Sequence, residues 1–232
     1  MFKLTAHQQK QVEVIEQIEQ SLIVNQANFS MVEPVDDFIN DQRIALTSVH
    51  FPRNDFFKKI ELEILQPLKK IDPKQFFYSN ELVHMTVKNI KTIQSPPAFT
   101  EADIKKVQQV FAEVIPKYHK FKAYYYRLLL FPYNLALIGT TDPTLDEIIL
   151  DLDQKLNEVG VPDNKIYLNN RYFFSNVTLV RFNKLLTDQF KNKVKEISTN
   201  LKPFSYEIDS ITLLSCNAVM NNKIEIATYQ LI

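Results

Sequence analysis

Two short runs of this chain carry the same arrangement of polar side chains. His84-Met85-Thr86 and Asn176-Val177-Thr178 each place a polar residue two positions before a threonine inside an apolar stretch. On an extended strand, residues i and i+2 point to one face. His84 then shares a surface with Thr86, and Asn176 with Thr178. Val83, Met85 and Val87 face the other way, as do Phe173, Val177 and Leu179, and can pack beneath helices. An imidazole with an unperturbed pKa near 6.5 donates or accepts protons close to neutrality. Hydroxyls and an amide can hydrogen-bond the oxygens of an anionic group. Side by side, the two strands would form a two-sided polar site.

The elements needed to position those strands are visible as a repeated order. Arg43 to Phe51 reads as a strand ended by Pro52, and Asn54 can cap a helix to about Lys70. Phe76 to Tyr78 is a short apolar run, and Leu82 to Lys88 is the first motif strand. Thr100, with Asp103 three residues on, starts a helix to Ile115. Phe121 to Phe131 is strand-like. A second series then begins: a strand at Asn134 to Ile138, and a helix from Thr144 to about Val159 stopped by Gly160 and Pro162. The second motif strand, Tyr172 to Phe182, is followed by a helix from Leu185 to Leu201. Phe204 to Leu214 and Lys223 to Leu231 are closing strands. A duplicated strand–helix–strand–helix–strand unit accounts for this order, with the halves facing each other across a cleft that holds both motifs. Before it, Gln8 to Ile23 carries Val12, Ile15, Ile18 and Leu22 at helical spacing, followed by a loop from Asn25 to Asn40.

Composition removes many classes of function. The 27 basic and 27 acidic side chains cancel, so no global field draws the protein to nucleic acid or membrane. A single cysteine, Cys216, excludes an internal disulfide and any multi-cysteine metal site, and reads as a small buried apolar residue. The two glycines, Gly139 and Gly160, are too few and too far apart for a phosphate-binding glycine loop. G-x-S-x-G and H-E-x-x-H are absent. No signal peptide and no stretch of about 20 apolar residues is visible, so the expectation is a cytoplasmic protein that does not enter a membrane.

His84-Met85-Thr86-Val87 and Asn176-Val177-Thr178-Leu179-Val180-Arg181 resemble the paired H-x-T/S motifs of the two-histidine (2H) phosphoesterases. Within that superfamily the likeness is to the bacterial RNA 2′,5′-ligase and 2′,3′-cyclic phosphodiesterase proteins. Phe131-Pro132-Tyr133-Asn134-Leu135-Ala136-Leu137 and Tyr206-Glu207-Ile208-Asp209-Ser210-Ile211-Thr212-Leu213 also resemble strands of that family. The similarity spans about residues 43 to 232. It implies an α+β, bilobal, pseudo-twofold fold, with two mainly antiparallel sheets lining a central cleft and helices outside. Residues 1–40 would be an extension. Residues 41–232 would form one domain of two lobes, about 41–131 and 132–232.

The resemblance implies in-line attack on a phosphodiester or cyclic phosphate without a metal or other cofactor. One histidine acts as general base, the other protonates the leaving oxygen, and the threonines hold non-bridging oxygens. This chain departs from the pattern at Asn176, which can donate a hydrogen bond but carries no proton. The expected catalytic set is His84, Thr86, Asn176 and Thr178. Lys88, on the His84 face by alternation, is a candidate phosphate contact. His50, near the end of its strand, could reach the cleft mouth. Tyr133 and Tyr172 are further candidates, as is Arg181, although alternation puts Arg181 opposite Asn176 unless the strand bends. His7 and His119 read as tail and surface residues. The expected partner is an RNA end or small nucleotide phosphoester bound by a monomer. The rival reading is a noncatalytic phosphoester- or RNA-binding module using the same cleft.

Overall fold

The computed structural model describes residues 3–24 and 26–232; Met1, Phe2 and Asn25, the first residue of the expected loop, lie outside the described residues. The order is α1 (Ala6–Ile23), β1 (Ile44–His50), α2 (Asn54–Ile60), a π-helical stretch Glu61–Leu65, and α3 (Gln66–Lys69). Then come β2 (Phe76–Phe77), β3 (Met85–Gln94), α4 (Glu101–Val114), β4 (Phe121–Leu130), β5 (Asn134–Thr141) and α5 (Thr144–Glu158). The chain closes with β6 (Ser175–Arg181), α6 (Asp188–Asn200), β7 (Phe204–Ile208), β8 (Ser210–Cys216) and β9 (Ile224–Gln230). Thr100 and Asp103 form the expected capping box at the start of α4, and Thr5 and Gln8 form another at α1. Among the described residues, no helix is long and apolar enough to cross a membrane.

The fold is α+β, built on one antiparallel sheet in the order β7-β4-β5-β6-β3-β1-β8-β9, with β2 paired to β6. Reading outward from the centre, β3-β1-β8-β9 mirrors β6-β5-β4-β7, which is the expected pseudo-twofold relation. The two halves form one curled surface, because β7 and β8 lie in opposite halves yet are separated by Asp209 alone. Two Cα–Cα steps of about 3.8 Å cannot bridge a flat sheet of this width, so the edges must curl toward each other. Helices α2 to α6 cover the outer face, where Val83, Met85, Val177 and Leu179 join the main core as expected.

The halves are not consecutive in the chain. A division near residue 131 would separate β4 from both strands it pairs with, β5 and β7. The short connection Phe131–Tyr133 is the physical reason: it leaves β4 no partner closer than β5. At the other end of the sequence, β8 pairs with β1. The single strand expected over Phe204 to Leu214 is two strands on different halves.

The N-terminal helix belongs to the inner face. Val14, Ile15 and Ile18 pack on Leu129, Phe131, Ala136 and Ile138 of the second half-sheet. Ala136 stands opposite Thr178, and Ile138 opposite Asn176, so α1 lies on the same side as the motif residues. Burying these side chains favours docking by roughly 1.5–3 kcal/mol each. The buried stripe also contains Gln8 and Gln11, while Val12 is only half-buried. Fully buried Gln11 donates to Thr141 Oγ1 at 2.8 Å and to the Phe173 carbonyl, and accepts from Thr141 N at 2.8 Å. Asp146 accepts from Phe173 N at 2.8 Å and contacts His7 Nε2 at 2.8 Å, so His7 is part of the packed structure rather than a loose tail. The peptide leading into β6 is thus held from both sides.

Gln11→Ala strands a buried donor and acceptor, each worth about 1–3 kcal/mol. Urea unfolding is expected to show a loss of about 2–4 kcal/mol. A midpoint equal to that of the parent protein would show that α1 is not integral to the fold.

Candidate active site

Met85 pairs with Val177, and this pairing joins β3 to β6 at the centre of the sheet. Antiparallel register then puts His84 opposite Thr178 and Thr86 opposite Asn176, all four on one face. They line a single cleft of about 440 Å³ on the inner face. Val14 and Ile18 of α1, the 29–32 segment and the 165–169 segment contribute its walls. Ser30 N donates to the Ile166 carbonyl at 3.0 Å, and Ile166 N to Ser30 Oγ at 2.9 Å, so the last two walls are joined.

One irregularity follows each motif. On β3, Val49 pairs with Thr86 but Ser48 with Lys88; on β6, Ala136 pairs with Thr178 but Leu135 with Val180. Each central strand therefore carries an extra residue directly after its threonine, a β-bulge that reverses the alternation there, and β3 has two further shifts, between Asn89 and Lys91 and between Lys91 and Gln94. Arg181 consequently turns to the cleft side with Asn176 and Thr178, and Asn89, its counterpart on β3, does the same. This is the bend on which the Arg181 candidate depended.

The same reversal removes Lys88. It occupies the position equivalent to buried Val180, is 1% exposed, and its ammonium pairs with Asp153 and Asp163. Lys88 is therefore a core ion-pair residue and not a phosphate contact. His50 also leaves the candidate set. It pairs with Met85 and shares that residue's outer face; its Nδ1 contacts the Ser210 carbonyl at 2.9 Å and its ring lies against Tyr206. Burial lowers its proton affinity. Tyr133 lies half-buried in the β4–β5 turn, outside the cleft lining, whereas Tyr172 lines the cleft. Cys216 is a buried part of the floor, its thiol pushed up to about 12 by desolvation. His119 is exposed, as expected.

His84 has the geometry of a base. Its Nδ1 lies 2.7 Å from the Leu82 carbonyl, which can only accept, so Nδ1 carries the proton and the lone pair is on Nε2. Burial, opposed by the Leu82 hydrogen bond and reinforced by Arg181 and Lys223, pushes the imidazole down to about 4. It is neutral at pH 7. Phe51 and Tyr78 hold the ring edge-on and tilted. Arg181 is aimed by its Nε, which donates to Tyr78 Oη at 3.0 Å and to the Ala218 carbonyl at 3.1 Å. No carboxylate lies within 4 Å of its guanidinium among the described residues. Asn176 Oδ1 is buried without a hydrogen-bond partner among the described residues. The cleft lining contains His84, Lys165 and Arg181 but no aspartate or glutamate, although 23% of the chain is charged. Such a lining favours an anion. Asn89 and Lys165 were not singled out by sequence reasoning; the identical spacing of Asn89 and Arg181 from their motifs was the available signal.

Sequence comparison finds neither a matching protein-family profile nor a match among the curated proteins. Structural comparison is decisive about the fold. The apo form of Escherichia coli LigT superposes with a TM-score of 0.56 at 12% identity, covering 82% of this chain and 99% of that one. TT0787 of Thermus thermophilus gives 0.56 at 10% identity, covering 82% and 98%. A further crystal structure of a phosphoesterase gives 0.54 at 12% identity, covering 82% and 99%. LigT has been crystallised with ATP, 3′-AMP, NADP+ and phosphate. This chain has the LigT-like fold of the 2H phosphoesterases.

The two roles considered for Lys88 predict different mutant behaviour. Lys88→Met leaves Asp153 and Asp163 without their cation and is expected to lower stability by about 3–5 kcal/mol, the cost typical of breaking a buried pair. A variant of unchanged urea midpoint that had lost ligand affinity would return Lys88 to the cleft.

Proposed function

We propose that this chain is a 2H phosphoesterase-like enzyme acting on RNA ends or small nucleotides that carry a 2′,3′-cyclic phosphate or a 2′,5′ linkage. The observation that carries the reading is the convergence of His84, Thr86, Asn176 and Thr178 on one face of an acid-free cleft beside Arg181. The nucleotide complexes of LigT support the ligand class. The protein acts as a cytoplasmic monomer in this reading.

Chemistry follows from the side chains present. The His84 Nε2 lone pair takes a proton from water as the water oxygen bonds to phosphorus. Thr86 and Thr178 hydroxyls and the Arg181 guanidinium hold the non-bridging oxygens, where charge accumulates. The bond from phosphorus to one ribose oxygen breaks. That oxygen needs a proton, and Asn176 has none to give, so solvent supplies it. General acid help from one side chain is typically worth about 10²–10⁴ in rate, so turnover is slow. Ligation is the same path with a ribose 5′-hydroxyl attacking a 2′,3′-cyclic phosphate in place of water. The step as written needs no metal ion.

Adenosine 2′,3′-cyclic phosphate and 2′,5′-linked diadenosine monophosphate are the substrates to assay. His84→Ala is expected to lower turnover by about 10² or more, and Asn176→His to raise it by a similar factor. Because the base works only when deprotonated, kcat/KM is expected to be flat from about pH 8 down to about pH 5 and to fall below about pH 4. The acid limb of kcat lies at higher pH, since bound phosphate favours the imidazolium. Turnover unaffected by His84→Ala sinks the mechanism. Binding abolished by Thr86→Val, with no turnover by the parent, assigns the cleft to recognition alone.

A further inference from the structure

The acid-free cleft holds a second cation away from the motif residues. Lys165 lines it, half-buried, with no hydrogen bond or carboxylate within 4 Å of its ammonium among the described residues. The Tyr167 ring lies 4.9 Å from its ammonium. The backbone around it is firmly seated on β3. Asn164 Oδ1 accepts from Thr92 N at 2.7 Å, and the Pro162 carbonyl accepts from Lys91 Nζ at 2.6 Å. Lys165 therefore stands over the stretch Asn89–Thr92. Asn89 pairs with Thr47, two positions along β1 from the Val49 that pairs with Thr86, so the two lie about 7 Å apart along the strand.

Asn89 is oriented by a neighbour. Thr47 Oγ1 lies 3.1 Å from Asn89 Oδ1 and 3.1 Å from the Lys88 carbonyl, and among the described residues the Asn89 NH₂ group has no hydrogen-bond partner. Asp153 and Asp163 are both engaged by Lys88, which itself lies 5.6 Å from the Tyr167 ring. Burial and the Lys88 charge push the Lys165 ammonium down to about 8, with Asp163 acting in the opposite direction. A partly desolvated ammonium without a direct carboxylate partner is costly, and a bound anion relieves that cost.

We infer that Lys165 and the Asn89 amide form a second phosphate-binding subsite, one nucleotide away from the motif residues. The inference rests on the phosphoester reading of the cleft and specifies its substrate. The preferred ligand carries a phosphate on the 5′ side of the ribose whose 2′,3′ or 2′,5′ phosphodiester meets His84. A bare nucleoside 2′,3′-cyclic phosphate fills the motif end only.

The test compares the dissociation constants of adenosine 2′,3′-cyclic phosphate and its 5′-phosphorylated form, by calorimetry at one salt concentration. A charge-assisted contact of about 1.5–3 kcal/mol corresponds to roughly tenfold to a hundredfold tighter binding of the phosphorylated ligand. In Lys165→Met that ratio is expected to fall to about one, and in Lys165→Arg to stay well above one. Because the readout is a ratio within each variant, a general loss of affinity does not imitate the result; a thermal melt checks that each variant is folded. A ratio near one in the parent protein, or one unchanged by Lys165→Met, overturns the subsite while leaving the motif end intact. Failure of the parent to bind either ligand overturns the phosphoester reading, and the subsite with it.

Discussion

One extra residue in each central strand decides what the cleft contains. Strict alternation after Thr86 and Thr178 would turn Lys88 inward to the cleft and Arg181 outward to the core. The bulges reverse both assignments. They act as a pair about the Met85–Val177 junction, so the two half-sheets are altered in the same way and their relation survives. At one equivalent position the chain places Val180, and at the other Lys88. Burying an ammonium there is tolerated because Asp153 and Asp163 meet it. The pair yields little net stability over an apolar residue, yet breaking it is costly.

The parts of this arrangement that were legible in the sequence depend on short-range rules. The i, i+2 spacing in the two motifs correctly placed four side chains on one face, and Thr100 with Asp103 correctly marked a helix start. What was not legible depends on pairing between distant strands. No glycine or proline marks the bulges at Val87 and Leu179, so the alternation gave the wrong face for Lys88 and Arg181. The exchange of β4 and β8 between halves is invisible in a repeat that is read consecutively. The inner face of α1 was obscured for a different reason: its buried stripe includes Gln8 and Gln11, and the polar groups of Gln11 are satisfied only by the tertiary partners Thr141 and Phe173.

The N-terminal segment changes the site it covers. Were α1 absent, Ala136 and Ile138 would expose an apolar face beside Asn176 and Thr178. With α1 docked, that face becomes a wall, and the strap through Ser30 meets the 165–169 segment across the cleft. The LigT-like neighbours are almost wholly covered by the superposition while this chain has residues to spare. Docked α1 and the 29–32 segment enclose the cleft, which lowers the local dielectric and strengthens each charge within it.

Enclosure explains why the two ends of the cleft differ in kind. At the His84 end, burial and two nearby cations keep the imidazole neutral and a weak base. In the proposed reading a phosphate held by Arg181 and the threonines removes part of that positive field, so proton affinity rises only while the ligand is present. The base is strengthened by its own substrate. At the Asn176 end there is no titrating group to respond in this way, and the amide contributes hydrogen bonds that are independent of pH. In the proposed reading the chain has one proton carrier, whose affinity is coupled to binding, and an amide that serves recognition at the equivalent position. That division follows from placing one imidazole and one amide on equivalent positions of a symmetric sheet in which every lining charge is positive.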